Sequence, residues 1–107
     1  MTTFDDRERA FETQYAREED LAFRIVARRN KLVAHWAADL MKLTAEEKDA
    51  YAKAVVQADF EEAGDEDVIR KLIGDLTAAG IETDEAMIRR ALADQAEEAK
   101  RQIAGAQ

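Results

Sequence analysis

The chain has 107 residues and a formal net charge of −8, with 16 basic and 24 acidic side chains, no cysteine, no proline, no serine and one histidine. That length holds one domain with a thin core. The missing residue types exclude disulfides, thiol chemistry and the common hydrolase nucleophile–base pairs, and the acidic balance argues against nucleic acid as main partner, because phosphate affinity comes from excess Lys and Arg.

Residues 1–19 differ in character from the rest of the chain. Thr3-Phe4-Asp5-Asp6 reads as a capping box, and the next dozen residues are good helix formers. Their large apolar groups are Phe4, Phe11 and Tyr15, spaced by seven and four. One bulky anchor per two turns does not offset roughly 1–2 kcal/mol of backbone entropy per ordered residue. The expectation is an arm that is mobile when free. Given pockets on a partner, each ring buries about 150–250 Å², an upper bound near 4–6 kcal/mol apiece at about 25 cal/mol/Å². That exceeds the roughly 2–5 kcal/mol needed to order such a segment, so folding on binding is favoured. The alternative is that the arm forms the first turns of the next helix, with its rings on the bundle. An acidic start without an apolar stretch predicts no secretory signal and a cytoplasmic chain that is not membrane-embedded.

Residues 20–43 carry the longest apolar periodicity. Leu21, Ile25, Leu32, Trp36, Leu40 and Leu43 recur at helical steps, with Phe23, Val26, Val33 and Met41 widening the stripe. This predicts the central core helix. Over residues 21–43, Arg24, Arg28, Arg29, Lys31 and Lys42 face Asp39 alone, a local charge of +4 in an acidic chain, so the belt is expected to meet acids of this chain or a partner. A bundle crevice holding Arg28, Arg29 and Trp36 would also accept ATP or ADP weakly, although no glycine-rich phosphate motif is present. His35 and Asp39, four apart, lack the further ligands of a metal site.

Thr44-Ala45-Glu46-Glu47 is a strict capping box and opens a second helix to about residue 63, with Gly64 as a left-handed terminator. Asp65 starts a third helix over 65–79, with Ile69, Leu72, Ile73 and Leu76 on one face and Gly80 at its end. Thr83 is the expected cap of a fourth over 83–104, carrying Ile88, Leu92, Ala96, Ala99 and Ile103. Between the second and third helices, Asp59 to Asp67 is strongly acidic but lacks the glycine and terminal glutamate of a calcium loop. Its expected partners are Arg70, the belt around Arg28 and Arg29, or a basic surface of another protein. On the last helix, Arg89-Arg90 and Lys100-Arg101 read as ion-pair partners of Glu85, Asp94 and Glu97. No segment alternates at period two, so the fold class is all-α: a small antiparallel four-helix bundle over 20–107 with an N-terminal arm.

Together, TFDDRERAFE (3–12), ARRNKL (27–32) followed by Trp36-Ala37-Ala38, AYAKAVVQADFEEAGDEDV (50–68) and Ile88-Arg89-Arg90 resemble the alphaproteobacterial ATPase inhibitor zeta subunit, also called domain of unknown function 1476. The resemblance covers nearly the whole chain; Ile25-Val26, His35 and Ala63 depart from the pattern. It implies a non-enzymatic inhibitor of ATP hydrolysis that binds the catalytic head of the F-type ATP synthase. On that analogy the N-terminal segment becomes helical when wedged between a β subunit and its α neighbour, near the central-stalk γ subunit. Phe4, Phe11 and Tyr15 would be the anchors, and Asp5, Asp6, Arg7, Glu8, Arg9 and Glu12 the charged contacts. The alternative function is a regulatory helical bundle that binds a nucleotide or another small ligand.

Overall fold

The computed structural model describes the backbone of residues 3–61 and 64–106, and the side chains of residues 18–59 and 64–105. Among these residues there are four helices and no strand: α1 Thr3–Leu40, α2 Ala45–Glu61, α3 Glu66–Ala78 and α4 Glu85–Ala106. α2 and α4 flank α1 and both run antiparallel to it. Arg28 meets Gln102 while Trp36 lies against Met87 and Ala91, and Asp39 meets Lys48 while Lys31 lies near Val56. α3 touches all three other helices and closes the core.

The buried face of α1 is offset from the leucine stripe that bulk alone would select. Asn30, Val33, Ala34, Ala37 and Ala38 are fully buried, an i, i+3, i+4, i+7, i+8 series. Leu21, Ile25, Leu32, Trp36 and Leu40 are only partly covered and flank it. Small side chains permit close approach of neighbouring helix backbones, so the central seam goes to alanines and the bulky residues to its shoulders. Against this seam pack Ala52 and Val55 of α2, Val68, Ile69, Leu72 and Leu76 of α3, and Ile88, Ala91 and Leu92 of α4. The α3 and α4 stripes match the periodicity of the sequence.

Helix ends show which local signals held. Thr44 N–H donates to Glu47 Oε1 (2.8 Å) and Glu47 N–H to Thr44 Oγ1 (3.2 Å), the reciprocal capping box. Hydrogen bonding of its carboxylate to the Thr44 backbone N–H first, and then to the Thr44 hydroxyl, holds the Glu47 carboxyl below its ordinary pKa. At α4 the cap falls on Asp84 rather than Thr83. Asp84 Oδ1 accepts from Met87 N–H at 2.8 Å, and Thr83 Oγ1 is turned inward, without a hydrogen-bond partner among the described residues. Both residues carry a suitable oxygen; the one that stands at the helix start wins.

α1 ends at Leu40, three residues earlier than its apolar pattern suggests. Leu43 N–H reaches Ala38 O (3.0 Å) and Lys42 N–H reaches Asp39 O (3.1 Å), a Schellman closure with Lys42 in the left-handed region at φ 59°. α3 closes the same way, with Ile81 N–H on Leu76 O, Gly80 N–H on Thr77 O and Gly80 at φ 81°. The first closure therefore places a lysine where the second uses glycine.

Candidate functional site

The candidate inhibitory segment, Phe4 to Tyr15, is helical and continuous with α1; no break marks a boundary near residue 19. The side chains of Phe4, Asp5, Asp6, Arg7, Glu8, Arg9, Phe11, Glu12 and Tyr15 lie outside the described residues, as do those of Phe60, Glu61 and Glu62. At 1.5 Å rise per residue, the 38 residues of α1 measure about 57 Å, close to the 64 Å long axis of the molecule. α4 has 22 residues and α2 has 17, so α1 outruns both of its neighbours.

The basic belt splits into two environments. Arg29 turns inward, with only 11 % of its side chain exposed. Its guanidinium grips Asp65 by two bonds, NH2 to Oδ1 at 2.8 Å and NH1 to Oδ2 at 3.3 Å, while Nε and NH2 also donate to Asn30 Oδ1 at 3.1 and 2.9 Å. This fork ties α1 to the start of α3. It also explains why Asp65, at the N-cap of α3, makes no side-chain cap bond. Asn30 is fully buried, and its Nδ2 finds no acceptor among the described residues. The sequence pointed to acids of the 59–67 run as partners of Arg28 and Arg29; for Arg29 the partner is Asp65.

The remaining bases face outward. Arg28 donates to Gln102 (3.3 Å) and, with Arg24 and Lys31, edges a cleft of about 330 Å³ whose apolar floor includes Phe23, Val56 and Ile103. Phe23 is 54 % exposed, the large hydrophobic residue most open to solvent in the described chain. Nothing in the apolar periodicity sets it apart from the core, since exposure depends on where α2 and α4 end. Lys31 and Val56 also border a second cleft of about 650 Å³ with Lys53, Ala52, Asp49 and Gln57. The two form one surface along α1 and α2.

Trp36 lies elsewhere. It packs on the core and lines a cleft of about 390 Å³ with Asp84, Met87, Arg90 and Asp94 of the α4 region. The three residues that the sequence offers for nucleotide contact therefore sit in three settings: Arg28 at the basic cleft, Arg29 on Asp65, Trp36 beside α4. No described cleft is lined by all three. His35 and Asp39 also part company, because Asp39 pairs with Lys48 (2.9 Å). Burial, then Lys48 and Lys31, lower the His35 pKa against the weaker pull of Asp49 and Asp39, so the imidazole is held neutral.

Other polar groups serve packing. Tyr51 Oη donates to Asp75 Oδ2 at 2.8 Å, and Lys71 both pairs with Asp75 (3.1 Å) and lies 5.4 Å from the Tyr51 ring centre. Burial first, then Asp75, pushes the Tyr51 phenol far above its ordinary value, so it remains a neutral donor joining α2 to α3. Arg89 bridges Glu85 of its own helix (2.6 Å) and Glu66 of α3 (3.0 Å). Lys100 pairs with Glu97, Arg101 with Glu98, and Arg70 with Asp67. No group of three or more His, Cys, Asp or Glu residues among those described is placed to hold a metal ion. No helix among them is long and apolar enough to cross a membrane.

Comparison with known proteins places this arrangement. The family model described as ATPase inhibitor subunit zeta matches residues 1–102, arm and bundle together. A structure solved by solution NMR is similar to the chain at 42 % identity and a TM-score of 0.69, covering 79 % of this chain and 96 % of that one. No curated protein matches.

Proposed function

The chain belongs to the ATPase inhibitor subunit zeta family, and from that premise we propose that it arrests ATP hydrolysis by the F-type ATP synthase by lodging its N-terminal arm in a catalytic α/β interface. The observation that carries this reading is the extent of the family match, which includes the arm. α1 supports it physically, because the arm continues a helix whose other half is fixed in a core. A partner that receives the arm therefore meets a rod with a rigid body at its base.

In this reading Phe4, Phe11 and Tyr15 fill apolar pockets, and Asp5, Asp6, Arg7, Glu8, Arg9 and Glu12 pair with polar rims of the α and β subunits and the γ stalk. The block is steric: a helix in a closing interface stops the conformational cycle, and no bond of ATP is broken by this chain. The inhibitor sits peripherally at the membrane-bound synthase. The test is ATP hydrolysis by the cognate catalytic head with the full chain and with a variant lacking residues 1–19. The full chain inhibits and the truncated one does not, while the truncated bundle keeps its cooperative melting. Equal inhibition by both would remove the arm from the mechanism.

A further inference from the structure

The surface that the inhibitory reading leaves unused is the basic cleft at the base of the arm. In a chain of net charge −8, the cleft of Arg24, Arg28 and Lys31 is lined, among the described residues, by three cations and by no carboxylate. Its floor is apolar, with Phe23 more than half exposed beside Val56 and Ile103. The adjoining cleft on α2 adds Lys53 and one carboxylate, Asp49, so the joined surface keeps an excess of cations among the described residues. An inorganic anion would satisfy the cations and leave the floor bare, whereas a helix with acids along one edge and apolar groups beneath satisfies both. Arg24, Arg28 and Lys31 follow one another at i, i+4 and i+7, spanning about 10 Å of α1. Acids at the same spacing on a docked helix would match them.

Building on the arm's inhibitory role, we propose that this cleft is a second docking surface, occupied by an acidic amphipathic helix of the same ATPase head. Continuity supplies the choice of partner. Phe23 follows Tyr15 by eight residues on an unbroken helix, about 12 Å along the axis, so a head that grips the arm brings its own surface against the cleft. The arm then provides the plug and the cleft provides the register, fixing how deep the plug sits. Opposite charge at the mouth also speeds encounter and makes it salt-dependent.

The test uses full-length chains and the cognate head, reading both inhibition of ATP hydrolysis and co-sedimentation with the head. The variants are Arg24→Glu with Lys31→Glu, Phe23→Ser, and Phe11→Ala in the arm as comparison. The double charge reversal is expected to raise the half-inhibitory concentration about tenfold or more and to flatten its dependence on NaCl, with helicity and melting unchanged. Phe23→Ser is expected to raise it severalfold. An unchanged half-inhibitory concentration in the double variant, with Phe11→Ala impaired, overturns the proposal and leaves the arm acting alone. A wild-type chain that fails to inhibit yet co-sediments, and loses co-sedimentation on charge reversal, sinks the inhibitory reading and keeps the cleft. Failure of the wild type to co-sediment overturns the docking surface. So does a finding that the double variant loses only self-association, because the occupant would then be a second copy.

Discussion

Residues 3–19 and 20–40 lie on one helix and owe their helicity to different causes. The second half inserts Asn30, Val33, Ala34, Ala37 and Ala38 into a three-sided core and is anchored through Arg29 to Asp65. The first half has six acids against three bases and three widely spaced rings. Weighed as a free segment, the arm would have to nucleate its own helix, and nucleation is the costly step. Attached to a packed helix, it only propagates, at a small free-energy change per residue of either sign. The lesson is that a segment too poor in apolar surface to fold alone still takes a helical path when its neighbour has already formed the nucleus.

The sharpest way to break this contrast is to mutate each half and read both stability and inhibition. Phe11→Ala should weaken inhibition by about 2–3 kcal/mol if the ring is a buried anchor in the complex, with no change in the denaturation midpoint of the free chain. Ala34→Leu should do the reverse, losing about 1–3 kcal/mol in urea unfolding by overpacking the seam and leaving inhibition by the folded fraction intact. If Phe11→Ala lowered the melting temperature as much as Ala34→Leu, the two halves would share a core and the distinction would collapse.

Within the packed half, Arg29→Leu should cost about 1–2 kcal/mol. The loss is moderated because Asp65, released, becomes available to cap α3; chemical denaturation of the single and Arg29→Leu/Asp65→Ala variants separates the two effects. Lys42→Gly should stabilise by about 1 kcal/mol, because the left-handed closure of α1 then carries no Cβ penalty, measured as a higher melting temperature. A pH series gives the smallest effect. Since the folded pKa of His35 is lowered from 6.5, the unfolded chain binds the extra proton first, so stability present above about pH 6.5 declines as pH falls through the folded pKa. His35→Gln should flatten that decline in pH-dependent melting.

Several elements are legible in the sequence because their signals are local. The Thr44–Glu47 box, the left-handed glycines 64 and 80, and the Ile69-Leu72-Leu76 and Ile88-Leu92 stripes each depend on residues within one or two turns. The features that the sequence conceals depend on neighbours. Trp36 is a shoulder of the core because the seam belongs to alanines, whose value appears only when two other helices press close. Thr83 yields its cap to Asp84 through the path of the chain out of Gly80. Arg29, grouped with Arg28 by sequence, is separated from it by the 100° turn between adjacent helical positions, one head going inward and the other out.

The sequence by itself determined the all-α class, the number of helices, the Thr44 capping box, the Gly80 closure and the charge contrast along the chain, because spacing, capping and charge are properties of nearby residues. Tertiary structure alone decided which face of α1 is buried, which cations are consumed by Asp65 and which line an open cleft, and that Phe23 stays exposed. Those outcomes depend on where α2, α3 and α4 begin and end against α1, and burial is a property of the assembled surface.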